Sequence, residues 1–285
     1  MPLNAEALRA WTFEERLQTY TDGDTMLYAL SLGFGSDPLD AAELPFVYEK
    51  NLVALPTMAA VLCHLGPWIG DARTGATRSK VVHGEQRLFI HRPLAPQGRL
   101  RGVSRVLGVH DKGADKGALV HVERAISDAD SGEPLATIVH TSFCRADGGF
   151  EGSFGAQYDN HALPQRAPDH VLELPVREDA ALLYRLNVDR NPLHADPEAA
   201  QRAGYPRPIL HGLCTWGMAA RAVLRCVLGY EAGRLRSLES RFSSAVYPGE
   251  TLRFELWRDA DVVSFRASVP ARGKTVLDNG RALIG

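Results

Sequence analysis

The feature that most constrains this chain is a faint internal repeat in the order of its elements. Asp179 to Leu186 (DAALLYRL) echoes Asp24 to Leu30 (DTMLYAL), and the apolar run after Gly212 echoes the apolar run after Pro56. The strand-turn at 243–256 echoes 89–103, and the closing run 273–284 echoes 132–143. Each unit therefore reads as a short helix, a loop, a long apolar helix and several antiparallel strands. A long helix needs a surface to cover its apolar stripe, and an antiparallel sheet with one buried face needs a helix. A sheet wrapped round a central helix satisfies both, and two such units side by side account for the whole chain. The expected class is α+β.

Along the chain, residues 3–19 predict a helix with Leu8, Trp11, Phe13 and Leu17 on its apolar side. Helices are also expected from Asp24 to Leu32 and from Leu55 to Leu65, the latter stopped by Gly66-Pro67. Strand-like runs follow at 85–91, 99–110, 117–127 and 134–145, separated by turn clusters such as Pro96-Gln97-Gly98. Ala146 to His170 is loose and rich in Gly, Asp, Gln and Pro, so it reads as a linker. The expected division is 1–150, a linker at 151–170, and 171–285.

The 285 residues suffice for a large core, and a net charge of −2 leaves no basic excess for a nucleic-acid partner. The four cysteines, Cys63, Cys144, Cys214 and Cys226, lack metal-type spacing and read as free thiols. No apolar run is long enough to span a bilayer, no secretory leader is recognisable, and Arg-Ala-Leu-Ile-Gly is not a peroxisomal address. The expectation is a cytoplasmic protein with no membrane partner.

The chemistry concentrates between Tyr184 and Leu224. Asp189 and His194 are five residues apart, and Pro192 forces a non-helical bend at Asn191. Such a turn can point an acid and an imidazole into one cavity, where they share a water. Asn191 has a donor and an acceptor with which to hold either. Gly212 opens an apolar helix, where an unpaired N–H and the helix dipole can bind a carbonyl oxygen as negative charge develops on it. Asx-Pro turns are also ordinary helix caps, and His194 or His211 can equally serve as a hydrogen-bonded structural residue. A metal site from Asp189, His194 and Asp196 lacks regular ligand spacing. Spacing alone leaves these readings open.

The residues Tyr184-Arg185-Leu186, Asp189, Asn191-Pro192-Leu193-His194, Asp196-Pro197 and Ala200, then Pro208-Ile209-Leu210-His211-Gly212-Leu213-Cys214, resemble the motif of the R-specific (type 2) enoyl-CoA hydratases, within the MaoC-like dehydratases. The resemblance extends to Leu55-Pro56-Thr57, His83-Gly84-Glu85-Gln86, Asp111-Lys112-Gly113 and Arg241-Phe242 through Val246-Tyr247-Pro248-Gly249, covering nearly the whole chain. One departure is Asn187-Val188, where the family has Ser-Gly; substrate fit rather than chemistry is in question there. The resemblance implies a double hot-dog fold in which only the second unit keeps the acid/base motif and the degenerate first unit makes room for an acyl chain. It implies Asp189 and His194 as the catalytic pair, Gly212 as the oxyanion donor, and no cofactor. His83, Gly84, Lys112, Asn191, His211 and Phe242 fall where the family contacts an acyl-CoA thioester; the resemblance suggests a homodimer, and the two-unit chain could equally stand alone as a pseudo-dimer.

Overall fold

The computed structural model describes residues 3–155 and 157–285. The first half contributes strands β1 (Arg16–Tyr20), β2 (Val81–Ile90), β3 (Gly98–Asp111), β4 (Ala118–Asp128) and β5 (Pro134–Cys144). The second contributes β6 (His170–Pro175), β7 (Leu235–Phe242), β8 (Thr251–Asp259), β9 (Val262–Val269) and β10 (Lys274–Ile284). The α-helices are α1 (Ala5–Arg9), α2 (Asp22–Ser31), α3 (Leu44–Val47), α4 (Ala180–Tyr184), α5 (Pro197–Arg202) and α6 (Gly212–Cys226).

All ten strands lie in one antiparallel sheet, in the order β1-β3-β4-β5-β2-β7-β10-β9-β8-β6. From the central β2–β7 pair outward, each strand of the first half meets its counterpart of the same connectivity in the second, so the repeat is a spatial one. The seam runs from Glu85↔Arg241 to Phe89↔Ser237. This is the double hot-dog architecture.

The second half is covered as expected. Helix α6 buries Trp216, Ala219, Ala220, Val223 and Leu224 against the inner face of the sheet. Each large apolar side chain so buried contributes about 1.5–3 kcal/mol. Gly217 is there because α2 comes close: a Cβ would sit 2.6 Å from Leu32 Cδ2. Helix α6 also grips the first half, since the Arg221 guanidinium pairs bidentately with Glu43 (2.8 and 3.0 Å), both side chains being almost wholly buried.

The first half departs from expectation in two places. The helix predicted over 3–19 stops after one turn and a half, and 16–20 becomes edge strand β1 paired with β3; Trp11 and Phe13 pack on Trp68 instead of along a helix. The helix predicted over 55–65 is a 3-10 segment, Pro56–Ala60. Its continuation is intercepted: the Ala60 carbonyl accepts a 2.6 Å hydrogen bond from Arg124 Nη2, and Cys63 turns to φ 50. Among the described residues the long apolar helix belongs to the second half alone. The helix expected from Asp24 begins earlier, at Asp22, because Thr21 is its cap and Asp24 closes a capping box at the third position.

Candidate active site

The catalytic-looking turn is built by local caps. Asn191 Oδ1 accepts from Leu193 N (3.1 Å) and starts a 3-10 turn, Pro192–His194; Asp196 caps α5 through Glu198 N (2.9 Å). Asp189 Oδ1 accepts from Asn191 N (3.0 Å), which leaves Oδ2 facing inward. His194 Nε2 lies 4.0 Å from that oxygen. This separation is too long for a direct hydrogen bond and suits one bridging water or hydroxyl.

Backbone carbonyls fix the imidazoles. His194 Nδ1 lies 2.8 Å from the Ile209 carbonyl, so Nδ1 carries the proton and donates, leaving Nε2 as the free base. His211 Nε2 donates to the Asp189 carbonyl at 3.0 Å, and its buried Nδ1 has no partner among the described residues. The two rings stack at 3.7 Å. Burial depresses the His194 pKa, with the Ile209 hydrogen bond and the Asp189 charge opposing. His211 is pushed down to about 3 by burial and by His194. Both imidazoles are therefore neutral at physiological pH.

Helix α6 opens between this turn and the seam. His211 gives it no side-chain cap, and the Gly212 N–H has no acceptor among the described residues. A Cβ on Gly212 would approach the Phe242 ring to 3.1 Å, so the glycine is what allows close approach here. Phe242 in turn packs on His83 (4.4 Å), which lies against His140 (3.9 Å). Gly84 sits in a β-bulge between β2 and β5, and the register shift there sets the direction of His83.

The fold thus gathers Asp189, His194, His211, Gly212, Phe242, His83 and Gly84 at one end of the seam. Asn191 is present but spends its side-chain acceptor on a cap. Lys112 stands exposed at the β3–β4 turn. Asp189, His194 and His211 each offer one ligand atom within 4.8 Å of the others, but Asp196 is engaged as a cap, so the metal set considered from the sequence is not assembled.

One residue with no sequence signal, His64, and one from the motif, Tyr184, complete the wall. His64 lies close enough to Asp189 to feel its charge, and burial is the main cause that lowers its pKa to about 3. Tyr184 faces His211 at 5.0 Å with its hydroxyl buried and unpartnered among the described residues. No helix among the described residues is long and apolar enough to cross a membrane.

Comparison with known proteins bears on family and fold. Residues 159–279 match a MaoC like domain, and residues 18–146 match an MFE-2 hydratase 2 N-terminal domain. The chain is 38% identical over 270 residues to the enoyl-CoA hydratase ChsH3 of Mycobacterium tuberculosis, covering 93% of each chain. It is 37% identical over 295 residues to the peroxisomal enoyl-CoA hydratase 2 of Arabidopsis thaliana, covering 96% of this chain and 93% of that one. A crystal structure of a MaoC-like dehydratase from Phytophthora capsici superposes with a TM-score of 0.87 at 32% identity over 99% of both chains.

Proposed function

The chain belongs to the MaoC-like dehydratase family, and from that premise we propose that it adds water reversibly across trans-2-enoyl-CoA to give (3R)-3-hydroxyacyl-CoA. The observation that carries this reading is the 4.0 Å gap between His194 Nε2 and Asp189 Oδ2, beside the uncapped Gly212 N–H. One water occupies the gap as the single source of both added groups. Its oxygen bonds to C3 while its proton passes through the Asp189–His194 pair to C2 on the same face. The π electrons move onto the thioester oxygen as an enolate, which the Gly212 N–H and the start of α6 stabilise, and return as C2 is protonated. Acid/base groups of this kind contribute roughly 10²–10⁴-fold each, and an oxyanion donor about 10²–10³. The neutral Nδ1–H tautomer of His194 supports the assignment, because only that form leaves Nε2 able to accept a proton.

We read the chain as two units, 1–150 and 171–285, joined by 151–170, with chemistry in the second. His83, Gly84, Phe242 and His211 line the thioester's approach. Lys112 and Asn191 stand farther out, as contacts for the coenzyme. An apolar cavity of about 160 Å³, bounded by Leu52, Pro56, Ile90, Leu94 and Leu235, offers space for an alkyl tail. No group in this scheme requires a cofactor. A homodimer and a cytoplasmic or peroxisomal address are further proposals, open to sedimentation and imaging.

The test is the ultraviolet absorbance of crotonyl-CoA and of a medium-chain trans-2-enoyl-CoA on addition of the protein. Loss of the conjugated thioester signal is expected, with a product oxidised by an R-specific 3-hydroxyacyl-CoA dehydrogenase. An S product, or no loss with either substrate, overturns the reading.

A further inference from the structure

Arg124 is a buried cation without a counter-ion. It lies on the inner face of β4, 6% exposed, between Val122 and Ile126. Its side chain makes one hydrogen bond, to the Ala60 carbonyl, while Nε has no partner and no carboxylate lies within ion-pairing distance among the described residues. Its charged or polar neighbours are the Cys63 thiol and the imidazoles of His64 and His140, none of which brings a negative charge at neutral pH. Burial lowers the Arg124 pKa only to about 10, so the guanidinium stays charged. A buried, unpaired charge is expensive and asks for an explanation.

The position supplies one. A run of contacts leads from the start of α6 into the first half: Gly212 to Phe242, Phe242 to His83, His83 to His140. His140 pairs with Gln86, and Gln86 with Ser240, whose hydroxyl is also unpartnered among the described residues. Arg124 is one row further along, opposite Ile138, which faces Leu88. From the other side His64 feels both Asp189 and Arg124. The strand that matches β4 in the second half, β9, is apolar on its inner face, with Val263, Phe265, Ala267 and Val269 all buried beneath α6. On β4 the corresponding row is apolar at Val122 and Ile126 and is interrupted by Arg124, while Leu88 and Ile138 beside it remain buried core.

We propose that the inner face of the first half receives an acyl chain that ends in a carboxylate, with Arg124 as the pairing cation and His140 and Gln86 as flanking polar contacts. The preferred substrate class is then the CoA thioester of a medium-chain dicarboxylic acid. A plain alkyl tail gains nothing from this wall and fits the apolar cavity beside Leu52 and Pro56 instead. The proposal rests on the hydratase reading only for where the thioester lies.

Binding and turnover separate the two ideas. Calorimetry would compare suberyl-CoA with octanoyl-CoA, two saturated probes that need no chemistry. Suberyl-CoA is expected to bind roughly 10- to 100-fold more tightly, the range of a hydrogen-bonded charge pair. Arg124→Met should erase that difference while octanoyl-CoA binding stays put, and Arg124→Lys should restore part of it. Equal binding of the two probes by the unaltered protein overturns the proposal. So does an Arg124→Met variant that weakens both probes alike and melts earlier, since Arg124 would then only hold the Ala60 carbonyl. Should Arg124→Met not fold, the unaltered protein and Arg124→Lys decide. Tight suberyl-CoA binding without turnover of trans-2-octenedioyl-CoA or trans-2-octenoyl-CoA would sink the hydratase reading and leave this one standing.

Discussion

The two halves are built on one plan and cover their inner faces differently. The second covers its strands with the fifteen-residue helix α6 and keeps the face apolar. The first has the same strand order but only the 3-10 segment Pro56–Ala60 in the helix's place. Beside its apolar residues stand His83, His140, Gln86 and Arg124, and His64 feels the charges of Arg124 and His140. The difference teaches that a hot-dog sheet can keep a buried face under a short 3-10 segment in place of a long helix. Stability then has to come from elsewhere, and the Glu43–Arg221 pair, which ties the first half to the surviving helix, is one such source.

The largest effect is expected at the turn carried only by the second half. Asp189→Asn and His194→Gln should each lower hydration by roughly 10²–10⁴ with the melting temperature nearly unchanged. Near-normal turnover in both would erase the functional asymmetry of the halves. Breaking the tie between them comes next: Arg221→Met leaves Glu43 buried and unpaired and should cost about 3–5 kcal/mol in chemical denaturation. A loss below about 1 kcal/mol would mean that the halves hold together through the seam alone.

Acid should act through the desolvated imidazoles, two in the first half and one in the second. The pKa values of His64, His83 and His211 are lowered to about 3, chiefly by burial. Unfolded, these rings take up protons near their ordinary value of about 6.5. The unfolded chain therefore binds more protons between those limits, and the stability present above pH 6.5 is lost as pH falls toward 3. His64→Gln should flatten that decline, and an unchanged pH–stability curve would show that His64 is not held neutral. The smallest effect is steric. Gly212→Ala pushes a methyl against Phe242 and should slow turnover by up to about 10²-fold, with recovery in a Gly212→Ala, Phe242→Leu double variant.

The motif was legible because it is contiguous. Asp189, His194, His211 and Gly212 lie within two dozen residues, and local caps position most of them. The strands were legible because turn clusters separate them. The 55–65 run misled because its apolar pattern is helical in isolation; the Arg124 bond that takes the Ala60 carbonyl comes from a strand some sixty residues away. His64, His140 and Arg124 sit in three separate segments; sheet register brings two of them together, with Val122 opposite His140 and Arg124 opposite Ile138, while His64 comes from the loop after Pro56–Ala60. A lone histidine in Cys63-His64-Leu65 carries no sign of lying near Asp189. The 3–19 run misled for a related reason, since β3 offers Arg16–Tyr20 a hydrogen-bonding edge that the local pattern does not reveal.

The ladder between β2 and β7 has a quantitative consequence. Because both strands belong to one covalent chain, the meeting of the halves is intramolecular, and its equilibrium depends on linker geometry rather than on how much protein is present. Specific activity should accordingly hold constant on serial dilution, down to concentrations at which a pair of separate subunits would come apart.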